Sequence, residues 1–305
     1  MITACAGTPL KEIEAALADK NQVLAFEPPH FGERATFGGA IAAGLAGPGR
    51  ISAGNLRDFV LGARILDGKG QDLSFGGKVM KNVAGYDVSR LLPGSMGTLS
   101  LLLEASVKVL PRPAATASLR CNITQARALQ LLNEWAGQPL PLSASCWIGS
   151  SIGGNGELTI RLAGAAAAIK AAIPIMGAAV NASELDPQVA SKFWAALREQ
   201  QLAVFSNLNS DETLYRLALP AACGTLAFQN VNGDIALEWH GQQRWIKAPG
   251  DDATFTSIKA LASAHGGHAT RFKQGSNVDS GTQRFTLLSE QAVSYTHLTL
   301  PTKRI

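Results

Sequence analysis

Cysteine is scarce in this chain, with four in 305 residues: Cys5, Cys121, Cys146 and Cys223, none of them in a C-x-x-C pair. Thiols this few and this far apart exclude an iron–sulfur cluster held by the chain itself and argue against a disulfide framework or a zinc site. They read as small buried residues of a protein in a reducing cytoplasm. The five histidines, His30, His240, His265, His268 and His297, contain no H-E-x-x-H, so no metal is expected. Charged residues make up only 16% of the sequence and the net charge is a mild +4. With no basic run interleaved with aromatics, a nucleic-acid partner is not expected. No apolar stretch reaches membrane-spanning length; the alanine-rich segment 163–172 is short and interrupted by Lys170. Residues 1–20 lack a basic start followed by an apolar block, so no secretory leader is expected.

The common nucleotide motifs are missing as well. Gly47-Pro48-Gly49 would need glycine at position 52 to complete G-x-G-x-x-G, and Ser52 stands there. Gly77-Lys78 is followed by Val79, with Asp72 where a P-loop needs its first glycine. A Rossmann fold and a P-loop NTPase are both disfavoured.

What is present is glycine. Gly38, Gly39, Gly44, Gly47, Gly49 and Gly54 crowd one stretch, separated by Ala42, Ala43 and Ala46. So many glycines weaken a helix, and short side chains let bare backbone approach a ligand with its N–H groups free for anionic oxygens. A glycine-rich surface loop is the plain alternative. Further clusters at Gly76-Gly77 and at Gly94 with Gly97 favour a cradle built from several loops. The glycine run and the loop after Lys78 are expected to meet in one groove.

Strand and helix patterns follow in order. Met1–Ala6 reads as a strand, and Thr8 as the cap of a helix with Pro9 at its first position and Leu10, Ile13 and Leu17 on its apolar face. Phe59–Asp67 reads as a strand. Leu99–Leu110 is the clearest one, with Leu101, Leu103, Ala105, Val107 and Val109 on its apolar face. Pro111-Arg112-Pro113 stops it and marks a domain boundary. Beyond it, strands at 117–123, 144–148, 158–162, 214–219 and 235–239 alternate with helices at 124–135, 187–200 and 252–265, the second capped by Asp186. Mixed elements with short turns imply helices on one face of an antiparallel sheet. Trp135, Phe193, Trp194 and Trp239 read as core residues.

Several segments together carry a resemblance: Thr36-Phe37-Gly38-Gly39, Arg57-Asp58-Phe59-Val60-Leu61-Gly62, Lys81-Asn82-Val83-Ala84-Gly85-Tyr86-Asp87 and Gly94-Ser95-Met96-Gly97-Thr98-Leu99. With Glu27-Pro28-Pro29-His30-Phe31-Gly32-Glu33 and Gly266-Gly267-His268-Ala269-Thr270-Arg271-Phe272, they resemble the PCMH-type FAD-binding domain of the vanillyl-alcohol oxidase type, and within it the FAD-binding E subunits of bacterial glycolate oxidases. The resemblance runs from about Ala4 to about Lys273. It implies an α+β fold: residues 1–113 as the second subdomain of the FAD-binding domain, 114–280 as an α+β cap with a mainly antiparallel sheet, and 281–305 as a tail. It also implies that an earlier subdomain, which carries the pyrophosphate-binding loop, is missing. From about residue 293 the sequence is similar to a translated sequencing adaptor and matches nothing the fold needs. The chain is therefore expected to be a fragment, inactive alone.

The resemblance also implies a function. FAD would lie along Pro29, Thr36, Gly38, Gly39, Ala42, Gly44, Gly54 and Asp58, then Lys81, Asn82 and Tyr86, with Gly97, Ser100 and Leu101 near the adenosine end. Ser100 stands where glycine is usual. Asp58 can equally be a turn residue or the ion-pair partner of Arg57, and Tyr86 can be a packed aromatic. The implied reaction is oxidation of a small 2-hydroxy acid such as glycolate to glyoxylate, by hydride transfer to flavin. A second FAD subunit and an iron–sulfur subunit would be partners in the cytoplasm or at the inner face of the membrane. Arg271 would hold the substrate carboxylate and His268 would take the hydroxyl proton; a merely polar strand is the alternative. A subunit that binds FAD without catalysing, or only scaffolds the complex, is the competing reading, as is a related FAD-linked hydroxy-acid oxidoreductase.

Overall fold

The computed structural model describes residues 1–77, 87–150, 154–206, 208–228, 231, 233–279 and 284–285. Lys81, Asn82, Tyr86, Gly85 and the tail from 293 lie outside the described residues.

β1 (Ile2–Cys5) opens the chain and turns back through Thr8, whose N–H donates to the Cys5 carbonyl at 3.0 Å. α1 (Leu10–Ala18) has Pro9 as its N-cap with no side-chain cap, one position later than the expected Thr8 cap. It buries Leu10, Ile13 and Leu17 as the 3.6 periodicity predicts. β2 (Gln22–Val23), α2 (Phe37–Ala43), α3 (Arg50–Ala53) and α4 (Leu56–Phe59) lead into β3 (Val60–Leu66) and β4 (Asp72–Gly76). β5 (Leu101–Val107) and β6 (Leu110–Pro111) follow. The first sheet is antiparallel in the order β1-β5-β3-β4. Its core joins Phe26, Phe37, Ile41, Phe59 and Val107 under α1 and α2.

One expectation fails inside β5. Ala105 and Val107 are buried, but Leu101 is 62% exposed. The register against β3 shifts between Arg64 and Ile65, so Leu102 rather than Leu101 packs inward at that end. A bulge inverts the side-chain alternation beyond it.

Across 112–114 the chain passes to a second sheet. Its elements are β7 (Ala115–Thr124), α5 (Gln125–Ala136), β8 (Leu142–Ser150), β9 (Asn155–Gly164), α6 (Ala166–Val180), β10 (Ser183–Glu184), α7 (Pro187–Arg198), β11 (Glu212–Ala218), β12 (Asp234–Glu238), β13 (Gln243–Pro249), α8 (Asp252–Ala264) and β14 (His268–Gln274). The eight strands run antiparallel in the order β10-β7-β9-β8-β12-β13-β11-β14. Thr124, Asp186 and Asp251 cap α5, α7 and α8 by accepting from Arg127 N, Gln188 N and Thr254 N.

Both faces of this sheet are covered, which corrects the expectation of helices on one face. Trp147, Leu217 and Ile246 pack under α5, α6 and α8. On the other face Ala144, Cys146, Leu214 and Trp245 meet Ala190, Trp194 and Leu197 of α7. Strands buried on both sides lose the polar alternation that would reveal them, and β13 is such a strand. Cys121, Cys146 and Cys223 are buried as expected, whereas Cys5 is exposed. No helix among the described residues is long and apolar enough to cross a membrane.

Gly149 and Gly156 face each other across β8 and β9 and leave room for the Trp147 indole. A Cβ on Gly149 would lie 2.7 Å from Gly156 Cα and from the Trp147 ring. Gly149→Ala is expected to lower stability by about 1–3 kcal/mol, read as a shift in the urea midpoint at unchanged slope. An unchanged midpoint would show that the indole does not need that space.

Candidate functional site

The glycine run is not an open loop. Thr36 caps α2, its hydroxyl accepting from Gly39 N at 3.1 Å, and Gly44 ends the helix at φ 64°. The helix survives its two internal glycines because it is capped at both ends and packed on β1. Gly38 N donates to Ala6 O at 2.8 Å, and a Cβ there would lie 2.5 Å from Ala6 Cβ, so glycine is needed for close approach. The expected free donors are thus engaged within the chain. Besides Gly38 and Gly39, Gly44 N donates to Ala40 O and Gly54 N to Arg50 O. Asp58 serves as a turn residue: its carboxylate accepts from Asn55 N at 3.0 Å and closes the capping box of α4.

The structure does bring several of the predicted residues together. The loop carrying Gly94 and Gly97 is stitched to the end of α2, with Gly94 N donating to Ile41 O at 3.2 Å and Met96 N to Ala42 O at 2.9 Å. A cavity of about 280 Å³ lies against the start of α2, lined by Pro29, Phe31, Thr36, Gly39, Ala43 and Leu45. Around Gly97, Met96, Leu99 and Leu101 stand exposed, and the buried Ser100 hydroxyl has no hydrogen-bond partner among the described residues. A groove of small side chains, an apolar ledge and an orphaned hydroxyl suit a long, flat, partly polar cofactor. Of the residues expected along FAD, Pro29, Thr36 and Gly39 line the groove, Ala43 lines it where Ala42 was expected, and Gly97, Ser100 and Leu101 lie at the ledge.

The predicted substrate pair does not assemble. His268 and Arg271 stand three apart on β14 and point to opposite faces of the sheet. Arg271 is fully buried, bonded to Asp252 Oδ1 at 2.8 Å and to the Asp251 carbonyl at 2.9 Å, over the Phe255 ring. It ties β14 to the start of α8. His268 is exposed, and burial of part of its ring followed by the charge of Arg216 lowers its pKa.

Other side chains gather where the two sheets meet. The hairpin between β12 and β13 turns through Trp239 and His240 at φ 52° and 57° and Gly241 at φ 86°. Consecutive non-glycine residues in that region cost energy, and the surrounding contacts hold them there. Arg244, fully buried, donates to the carbonyls of Gly241 and Gly224 at 3.1 and 2.7 Å, and to that of Cys223. His240 is buried, and loss of water lowers its pKa to about 4, so it stays neutral. The turn aims Trp239 out of the sheet, correcting its placement in the core. Its indole N–H donates to Gly47 O at 3.0 Å, and the Arg50 guanidinium lies 4.3 Å over the ring.

Beside it, Arg216 on β11 faces Glu238 at the end of β12. The Glu238 carboxylate accepts from Trp245 Nε1 at 2.6 Å and Gln243 Nε2 at 3.1 Å. Burial pushes its pKa up to about 7, against those bonds and the charge of Arg216. Burial, then the charge of Arg50, hold the Arg216 guanidinium below its ordinary pKa. Spacing could not reveal Arg50, Arg216 and the consecutive pair Glu238 and Trp239 together, because they come from three distant stretches joined by the packing of the sheets.

The sheets are also pinned by charge. Glu27 takes Arg161 at 2.7 Å and Gly49 N at 2.7 Å, and Glu199, the C-cap of α7, accepts from His30 N and Phe31 N at 3.0 and 2.9 Å. These bonds hold the Pro28–Phe31 wall of the groove against the sheet.

Comparison with known proteins gives the same picture. A family model described as an FAD binding domain matches residues 1–76. The chain is 46% identical over 275 residues to glycolate oxidase subunit GlcE of Escherichia coli K12, covering 90% of this chain and 72% of that protein. It is 34% identical over 140 residues to a D-lactate dehydrogenase of Archaeoglobus fulgidus, covering 45% of this chain and 31% of that enzyme. Among solved structures, an alkyldihydroxyacetonephosphate synthase superposes with a TM-score of 0.62 at 16% identity, over 97% of this chain and 62% of that one. That likeness concerns the fold alone.

Proposed function

The chain belongs to the GlcE family of FAD-linked oxidoreductases, and on that premise we propose that it is the FAD-binding subunit of a glycolate oxidase-like complex that oxidises a small 2-hydroxy acid to the 2-oxo acid. The observation that carries this reading is the groove beside α2, continuous in sequence with the matched FAD-binding segment and walled by Pro29, Thr36, Gly39 and Ala43. FAD, when bound, supplies the hydride acceptor. The chain's part is to hold the cofactor against small side chains, to cover it with the face of the eight-stranded sheet that carries Trp239, and to limit the entry of water between them. A second flavin subunit and an iron–sulfur subunit complete the proposed assembly in the cytoplasm, with any membrane contact made by those partners.

A second reading has a specific observation in its favour. The carboxylate-binding arginine expected at position 271 is paired and buried, which suits a subunit that holds FAD while its flavin partner oxidises the substrate.

Titration of the chain with FAD, followed by flavin fluorescence, tests the common element of both readings. Saturable quenching is expected, and Ala43→Trp, which fills the groove, should reduce the affinity at least tenfold while the thermal midpoint stays put. Quenching that ignores Ala43→Trp would move the cofactor elsewhere, and no quenching would remove it.

A further inference from the structure

The wall of the groove at residues 28–31 takes its shape from the other sheet. Pro28 and Pro29 carry no N–H, and the two donors that remain, His30 N and Phe31 N, both go to the Glu199 carboxylate at 3.0 and 2.9 Å. Every backbone donor of these four residues therefore points away from the first sheet. Glu27 at φ 49° and Phe31 at φ 51°, which bracket the two prolines, are non-glycine residues in the left-handed region. Such a backbone is costly for side chains of this size and persists where surrounding contacts impose it.

Both brackets are gripped from the eight-stranded sheet and its helices. Glu27 takes Arg161 of β9 at 2.7 Å. Arg161 is itself fixed, donating to Ser143 Oγ at 3.1 Å with its guanidinium 5.2 Å over the Trp194 ring. At the other end, Glu199 receives Arg198 Nε at 2.8 Å, and Arg198 reaches Glu14 of α1 at 3.7 Å. The Phe31 ring stands edge-on to Phe272 of β14 at 6.4 Å. Only 14% of the Glu199 side chain is exposed, so its charge-assisted bonds to the two N–H groups compete with little water. Pro29 and Phe31 line the groove of about 280 Å³ on one side and the crevice beside Arg216 on the other. The position of this thin wall sets the width of the groove.

We propose that Glu199 is a positioning residue for the cofactor, drawing the wall at 28–31 into the shape that seats FAD. The proposal rests on the flavin reading above. It places part of the seat outside the matched FAD-binding segment, since that match stops at residue 76 and Glu199 ends α7. Without the carboxylate, His30 N and Phe31 N turn to water, and Phe31 relaxes out of the left-handed region and takes Pro29 with it. The same contacts join the two sheets and shape the groove. Binding in the groove and docking of the sheets therefore reinforce each other equally in both directions.

The test is FAD titration of the whole chain by flavin fluorescence, paired with the rate of trypsin cleavage after the exposed Arg34 measured without cofactor. Glu199→Ala should weaken FAD binding by about tenfold or more and speed that cleavage. Glu199→Gln keeps an oxygen for the two N–H groups and should fall between alanine and the parent chain on both readouts. Glu184→Gln, at an exposed site on β10, should change neither. In the parent chain, added FAD should slow the cleavage. Thermal midpoints show which variants fold, and if Glu199→Ala does not, Glu199→Gln is read against the parent chain on both measurements. FAD affinity indifferent to Glu199, or cleavage that ignores it, would overturn the proposal. So would glutamine as damaging as alanine, because the two bonds to the wall would then not be the cause. A parent chain that binds no FAD would sink the flavin reading instead, and faster cleavage in Glu199→Ala would still show the grip on the wall.

Discussion

Replacing Arg244 by methionine is expected to cost about 3–5 kcal/mol of stability and to lower the thermal midpoint by about 10 °C. The guanidinium is wholly buried and serves three backbone carbonyls, those of Gly241, Gly224 and Cys223. Methionine fills most of the volume but offers no donor, so three carbonyls, those of Gly241 and Cys223 at buried bonds, lose their partner at once. Lysine carries the charge but lacks the planar fork that reaches three separate oxygens. Burial already disfavours the charge, holding the pKa below its ordinary value, so the bonds and not the charge make the residue worth keeping. The effect should extend to the site. Gly241 O is the carbonyl that closes the turn holding Trp239 against Gly47, and a loosened turn releases the ring on which Arg50 lies. Thermal unfolding and the flavin titration measured on the same preparation check both parts. A midpoint within about 2 °C of the parent chain would show that the carbonyls find other partners.

The fold was legible in the sequence where one physical cause acts locally. Asp186 announces a helix start because a side-chain oxygen two or three residues ahead of free N–H groups does the same work in any context. The proline pair at 111 and 113 reads as the stop of a strand reaching Leu110, but β5 ends at Val107 and Pro111 lies in β6, opposite Gln22. Legibility failed where the cause is distant. The bulge opposite Arg64 inverts Leu101 and Leu102, and nothing near either leucine signals it. α6 is hidden in an alanine-rich run that includes Pro174, with little amphipathic pattern. At the site, glycine density correctly marked a place of close approach but not what approaches. At Gly38 it is the backbone of Ala6, and at Gly44 the turn at Gly94. His268 and Arg271 were grouped by closeness along a strand, where an odd separation places side chains on opposite faces. Arg50 and Arg216 are far apart in sequence, so only the packing of the two sheets reveals them.

Glu238→Gln is expected to raise stability at alkaline pH and leave it nearly unchanged in acid. Glu238 is 5% exposed, and burial lifts its carboxyl from the ordinary 4.5 to about 7. In the unfolded chain it ionises at its ordinary value, so between those two pH values the folded state binds more protons than the unfolded one. Stability from this group is therefore complete below about pH 4.5, declines as pH rises, and is lost above about pH 7. The full span corresponds to about 3 kcal/mol. Glutamine keeps an oxygen to accept from Trp245 and Gln243 and never ionises, so the variant lacks this decline. The gain is capped by Arg216, which loses the one carboxylate that partly offsets its charge. The informative quantity is the difference between the two stability curves, because every other titrating group contributes equally to both. That difference should open between about pH 4.5 and 7, reaching about 2–3 kcal/mol. Parallel curves would mean that Glu238 is already ionised at neutral pH and serves as the counter-ion of Arg216. In that case Arg216→Gln would lower stability most at alkaline pH, where an ionised Glu238 would be left buried without its cation.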